Sequence, residues 1–513
     1  MRLKTALFLL LIVVVVAPLL AFLFVRWHQV ASPAPNVDFT DFGRYVTALN
    51  LSHDPVAAKI RQQVADGPAE LAREKAAAQA DGIDLDPAHL QKPLPPADQN
   101  AALLYERWYA LRKAAKADLP LYAEPMRYGY AYTPQQIARV QKILDDHRDV
   151  VALLHQAADS PQCVWIVDWQ KIPKSAQKPP EFSPNDYLLW GGWKTRAAAR
   201  TINTESFLLA LQGRYTEAIV NQTRGFRIAA HTAAEPTLTG ATVGGAVEAI
   251  TLTGMVNILD LAGPNPAVAA QVRQAIAAHP FHPSLKQALA GEAALVPLKM
   301  TGVRAMTPAQ LAGYLPGSTM PSADDSDFPT HFSPEVQRFF SNAVDAAEAQ
   351  ELNHLHRLYT AAGTPRDARQ QFRKELDASE AAAPDPEKQP NPVIALTALD
   401  FSEDDTAFDE ACDFTDGIQT EEQMLMAVTE ALGTKARSGA FPAHLTGRYP
   451  DAFADGKPLQ YRQEGANGFV AYSVGPTGHF DGGKPGGKAP DWPTVMFRYP
   501  PAARTKVPPD MLK

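Results

Sequence analysis

One stretch, residues 237–261, limits the possible folds more than any other. It is apolar on nearly every side, interrupted by Glu248 at its centre and by Asn257 and Asp260 near its end. A helix of that pattern has no wet face, so its surroundings must cover it all round. A bilayer would also cover it, and Gly240 and Gly244 carry the G-x-x-x-G spacing of membrane helix pairs. A carboxyl group at mid-bilayer is costly, however. The stretch is therefore read as the central core helix of a water-soluble helical body. Glu248 then needs a polar partner or the rim of the bundle, and the glycines let neighbouring helices approach closely.

Helical periodicity surrounds that core. Residues 56–80 repeat Val56, Ile60, Val64 and Leu71 near helical spacing, and a helix opening at Asp98 or Asn100 lines up Leu104, Trp108 and Leu111. Thr133 and Pro134 start another, with Ile137, Val140, Ile143 and Leu144, running towards Leu154. Residues 207–219 read as a helical hairpin around Gln212, Gly213, Arg214 and Tyr215. Further helices are predicted over 268–277, 284–298 and 334–359. Pro-rich or polar breaks fall at 93–96, 313–334 and 381–392, and the acidic run 400–416 reads as solvated surface.

From Gln419 the pattern changes. A helix carrying Met424, Val428, Ala431 and Leu432 ends near Ser438, and strand-like runs follow at 459–462, 469–474 and 495–499. Asp455 and Gly456 mark a turn before the first run, and 464–468 a hairpin loop before the second. The expected fold is mainly α: a helical array or bundle with a small C-terminal α+β module, a helix backing an antiparallel sheet. The expected division is a membrane anchor over 1–26, a tether over 27–55, a helical domain over 56–418 and the module over 419–513.

The anchor rests on an unbroken apolar run from Ala6 to Val25, preceded by Arg2 and Lys4 and closed by Arg26. About 20 such residues match the hydrocarbon thickness of a bilayer. A cleaved signal peptide has a shorter apolar run and small residues at its cut; here the nearest candidate, around Ala31, runs into Pro33. The basic residues at the start favour a cytoplasmic amino terminus. This predicts a single-pass inner-membrane protein whose bulk is periplasmic. A formal net charge of −8 argues against a nucleic-acid partner.

Chemistry is less legible. Trp165, Trp169, Trp190 and Trp193 crowd one segment with Asp168, Glu181 and Asp186, which reads either as a sugar or peptide groove or as rings pinning a loop onto the helices. Glycoside hydrolysis needs two carboxyl groups about 5 to 10 Å apart, and Asp168 with Glu181 is the pair to examine. Glu351 and His354 have an i, i+3 spacing used by metal ligands, but no matching pair is visible, so a solvated helix face is expected. Cys163 and Cys412 either pair in an oxidising compartment or remain two separate thiols. No nucleophile elbow, zinc motif, phosphate loop or dinucleotide fingerprint is present.

Two resemblances add to this reading. The hairpin near 205–235 resembles the middle of a tetratricopeptide repeat, with Gly213 ending one helix and Tyr215 and Ala218 packing the pair, but no further copies follow at the required period. The C-terminal residues Gly439, Phe441, Pro442, then Asp455, Gly456, Lys457, Pro458, Leu459 and Tyr461, then Tyr472, Ser473, Val474, Gly475 and Pro476, and finally Asp481, Gly482 and Gly483 resemble the globular head of the type II secretion major pseudopilin. The whole chain is similar to uncharacterised anchored bacterial envelope proteins. The pseudopilin resemblance implies a calcium ion held by Asp481 and Asp491, with Thr477 standing where the family usually places Asp. Met1 to Val25 lacks the pseudopilin leader and its glutamate, so a filament subunit is not expected. The expected function is a non-catalytic interaction or scaffold protein of the cell envelope, linked to secretion or pilus-like machinery and to envelope protein partners. The alternative is a cell-wall or glycan hydrolase.

Overall fold

The computed structural model describes residues 42–114, 130–165, 192–280, 284–308, 331–382, 391–398, 404–475, 496–500 and 505–506. The anchor, most of the tether, Asp168, Glu181, Asp186, Asp481 and Asp491 lie outside them. Among the described residues the fold is mainly helical, with small antiparallel sheets after the last helix. The helices are α1 (Phe42–Leu51), α2 (Pro55–Ala80), α3 (Ala101–Ala114), α4 (Pro134–Asp146), α5 (Arg148–Asp159), α6 (Gly192–Leu211) and α7 (Tyr215–Ala233). There follow α8 (Leu238–Ala262), α9 (Pro266–Ala278), α10 (Leu285–Arg304), α11 (Pro334–Ala362), α12 (Arg366–Ala382), α13 (Pro392–Ala398) and α14 (Asp404–Ser438).

Local chemistry sets many of these bounds. Thr133 and Gln136 form a reciprocal capping box at the start of α4, while Asp54, Thr237, Asn265, Ser284 and Ser333 cap α2, α8, α9, α10 and α11 with their side-chain oxygens. The α6–α7 turn closes by two bonds, Arg214 N–H to Leu209 and Gly213 N–H to Ala210, with Gly213 at a φ of 77°. That left-handed position is why glycine ends this helix. The run predicted from Thr133 to Leu154 is two helices, broken at His147.

Two large cores share two helices. One joins α3, α5, α6, α7, α8, α9, the later turns of α14 and the C-terminal strands. The other joins α1, α2, α10, α11 and α13 with the first turn of α8 and the start of α14. A smaller cluster lies between α4, α5 and α6. Among the described residues α8 alone is long and apolar enough to cross a bilayer, and most of it is buried inside the protein. It is the core helix that its sequence predicts. Gly244 admits Ala229 and Ala233 of α7, and Gly245 admits Phe414 and Ile418 of α14.

Two expectations are corrected here. Glu248 is fully buried, but neither of its carboxylate oxygens has a hydrogen-bond partner. Burial holds its proton well above the usual carboxylate range, so the group avoids being an isolated charge without needing a partner. From Asp404 onward the acidic run belongs to α14, and Asp416 is buried, which corrects the solvated surface expected for it. Phe408, Ala411 and Cys412 form a helical stripe into the second core, and Asp413 and Asp416 meet Arg366 at 2.6 and 2.7 Å.

The C-terminal module follows α14 directly. Strands β4 (Gln460–Glu464), β5 (Gly468–Tyr472) and β6 (Met496–Tyr499) form an antiparallel sheet with Gln460 opposite Tyr472 and Phe469 opposite Tyr499. Before it, β2 (Pro450–Asp451) pairs antiparallel with β3 (Lys457–Pro458) around the Asp455 and Gly456 turn. Phe469 stacks among Phe441, Tyr461, Phe497 and Tyr499. Far from this sheet in sequence, β1 (Tyr130–Ala131) pairs in parallel with β7 (Thr505–Lys506).

Candidate functional site

Buried polar chemistry gathers where residues 160–165 and the α7–α8 connection meet. Asn100 pins the first segment: its Nδ2 donates to the Val164 carbonyl and its Oδ1 accepts from the Val164 N–H, both at 2.9 Å. The same Oδ1 accepts from Ala102 at the start of α3. Ser160 Oγ donates to the Gln99 carbonyl at 2.5 Å. These bonds hold Cys163 and Trp165 over the end of α7.

Trp165 then stacks on Tyr105 at 6.1 Å and donates its indole N–H to the His231 carbonyl at 3.3 Å. The Tyr105 hydroxyl lies 3.0 Å from His231 Nδ1. Glu235 sits in the short connection to α8, with Oε1 unpartnered. Its neighbour across the turn is Glu292 of α10, whose Oε1 accepts from the Leu238 N–H at 3.0 Å. A cavity of about 30 Å³ opens between Lys92, Cys163, Trp165 and Glu235. That is room for one or two waters.

Burial favours the neutral forms of Glu235, His231, Tyr105 and Cys163. Burial pushes the Glu235 carboxyl up to about 8, with the Glu292 charge adding to it. Burial also holds His231 down to about 4, with Arg227 a lesser cause, and raises the Tyr105 phenol and the Cys163 thiol. A thiol so shifted is a poor nucleophile, since the thiolate is the reactive form. The walls can exchange hydrogen bonds with water, and they hold no activated nucleophile.

The residues singled out in the sequence distribute differently. Trp165 is a packed ring within the first core, the anchoring role that one of its two readings gave it. Asp168 and Glu181, the proposed hydrolase pair, and Asp481 and Asp491, the proposed calcium ligands, lie outside the described residues. Glu351 is buried, which corrects the solvated face expected for it. Among the described residues no group of three or more His, Cys, Asp or Glu side chains could hold a metal ion. Cys163 and Cys412 form no disulfide with each other: one lies on the cavity wall and the other in the second core. The Glu235 cluster was missed because its members are scattered along the sequence. The one local signal is a carboxylate set among Ala233, Ala234 and Pro236 just before a helix cap.

Comparison with protein-family models, with curated proteins and with solved structures finds no match to this chain.

Proposed function

We propose that this protein is a non-catalytic scaffold of the bacterial cell envelope, tethered to the inner membrane by residues 1–26, with its helical body and C-terminal module on the periplasmic side. The observation that supports this most is α14. One helix runs from the second core, at Phe408 and Cys412, through the first core and into contact with the C-terminal sheet. Such a strut holds the sheet in a fixed position on the body, which is the mechanical requirement of a presenting or docking module. The basic and apolar pattern of the first 26 residues supports the tether. The resemblance of residues 439–499 to a pseudopilin head supports a place beside secretion or pilus-like machinery. The neutral forms that burial imposes on Glu235, His231, Tyr105 and Cys163 favour a structural over a catalytic role for that cavity.

The test combines topology and activity. A reporter that works only outside the cytoplasm, fused after Lys513, is expected to be active, and deletion of residues 1–26 is expected to move the protein from the membrane to the soluble fraction. A stable but inactive fusion would overturn the topology. Turnover of purified cell-wall material by the soluble body, abolished in Asp168→Asn or Glu181→Gln, would replace the scaffold reading with the hydrolase.

A further inference from the structure

The seam between α8 and α14 carries an unusual arrangement of charge. Gly245 of α8 seats the Phe414 ring and Ile418 of α14. One turn further along both helices, Glu248 faces the Glu421 and Glu422 positions. The spacings 245 to 248 and 414, 418, 421 and 422 place these groups on the facing stripes of the two helices. Glu248 is fully buried with both oxygens unpartnered, Glu422 is buried, and Glu421 is half-buried, its own carboxyl pushed up to about 7 by burial. The charges acting on Glu248 come from α14, Glu422 first and Glu421 second. Among the described residues, α6, α7, α9 and α10, which also pack against α8, bring no charge that acts on it.

We propose that this seam is a pH-operated joint, in which protonated Glu248 keeps α14 seated on α8 and ionised Glu248 loosens it. The step is a single proton transfer from the Glu248 carboxyl to solvent, leaving a carboxylate that faces other carboxyl groups in an apolar seam. No cation among the described residues neutralises it, so the charge is relieved by admitting water between the helices. Because α14 is continuous with the C-terminal sheet, loosening it shifts the sheet relative to the body. The joint belongs to the fold itself and stands whether or not the envelope reading holds.

The geometry sets the direction of the response. A carboxyl group held protonated by the seated form binds its proton more tightly there than in the loosened form. Opening therefore grows with pH, by about tenfold per pH unit, from the ordinary carboxylate range up to the value of the seated state. The experiment is hydrogen exchange followed by mass spectrometry on the full chain from pH 5 to 8.5, corrected for the intrinsic rate. Peptides covering residues 411–425 of the parent are expected to lose protection as pH rises. Glu248→Gln keeps the size and removes the titrating proton, so it is expected to cut that dependence in 411–425 down to the part that Glu421, itself pushed up to about 7 by burial, contributes. Glu422→Gln removes the strongest facing charge, so the loss of protection becomes smaller and levels off at lower pH. This second variant carries the test if Glu248→Gln does not fold. A parent whose 411–425 protection is independent of pH, or a Glu248→Gln or Glu422→Gln protein with the parent's full dependence, would overturn the joint.

Discussion

Glu348 and Glu248 are both fully buried glutamates, and what faces them separates their roles. Glu348 on α11 meets Lys75 of α2 at 2.7 Å and Arg304 of α10 at 2.6 Å, so a charge there is compensated and ties three helices together. Removing one partner of such a pair typically costs about 3 to 5 kcal/mol. Arg304→Met leaves Lys75 on Glu348 and should cost less than that, whereas Arg304→Met combined with Lys75→Met leaves Glu348 buried and uncompensated and should reach that range, as read by urea denaturation. Glu235 and His231 lie in the opposite situation, each shifted towards its uncharged form. Glu235 has a folded value near 8, above the ordinary carboxylate value, so its contribution is complete at low pH and is lost as pH rises towards 8. His231 has a folded value near 4, below the ordinary imidazole value, so its contribution is complete above about 6.5 and is lost as pH falls towards 4. Denaturation free energies measured across pH should decline on both sides. Glu235→Gln is expected to make the alkaline side shallower without altering the acid side. An unchanged alkaline slope would show that the carboxyl already titrates normally.

At the scale of elements, the helices that the sequence revealed best are those whose signals are local. Thr133 announces α4 through its own cap, Gly213 ends α6 through its own φ, and residues 237–261 are too apolar for any position but the centre. The start of α14 was hidden because its signals are distant. Asp416 reads as surface until Arg366 and Arg369 are seen 2.7 Å away, some fifty residues back in the chain. The β1 and β7 pair was equally invisible, since two residues at each end give no periodicity. Nor does a sequence reveal that Glu248 lacks a partner, because partner status is a property of neighbouring helices. Close helix approach yields a further prediction. A Cβ at Gly67 of α2 would strike the Asn342 carbonyl and the Ala346 nitrogen in the backbone of α11, whereas one at Gly245 would meet the Phe414 and Ile418 side chains. Backbone yields less easily than a side chain. Gly67→Ala is therefore expected to cost about 2 to 3 kcal/mol and Gly245→Ala about 1 kcal/mol, on the usual scale for overpacking. Chemical denaturation would reverse this argument if Gly245→Ala proved the costlier change.

For the whole molecule, the sequence suggested a boundary near Gln419 between body and module, and α14 crosses it without a break. The faces on either side are mutually dependent. Met424, Leu425, Val428, Ala431 and Leu432 lie in the same core as α8 and α9 from the body and as Phe441, Phe469 and Phe497 from the module. Asp451 reinforces the junction: its Oδ1 accepts from Ser473 Oγ and the Phe453 N–H, and its Oδ2 from the Val474 N–H, while Thr420 of α14 accepts from the Ala452 N–H. Replacing Asp451 with Ala leaves three buried or half-buried donors unpaired, at about 1 to 3 kcal/mol each before relaxation. If the module were an independent head, that loss would melt the sheet and leave the helices intact. Since the two share one core, Asp451→Ala should instead lower a single melting transition, with helix signal by circular dichroism and Tyr and Phe packing by near-ultraviolet signal lost together. For the same reason a fragment of residues 419–513 is expected to be unfolded, because α8 and α9 are missing from one side of its helix. Two separated transitions in the parent, or a cooperatively folded 419–513 fragment, would restore the boundary at Gln419 and make the strut a hinge between independent units.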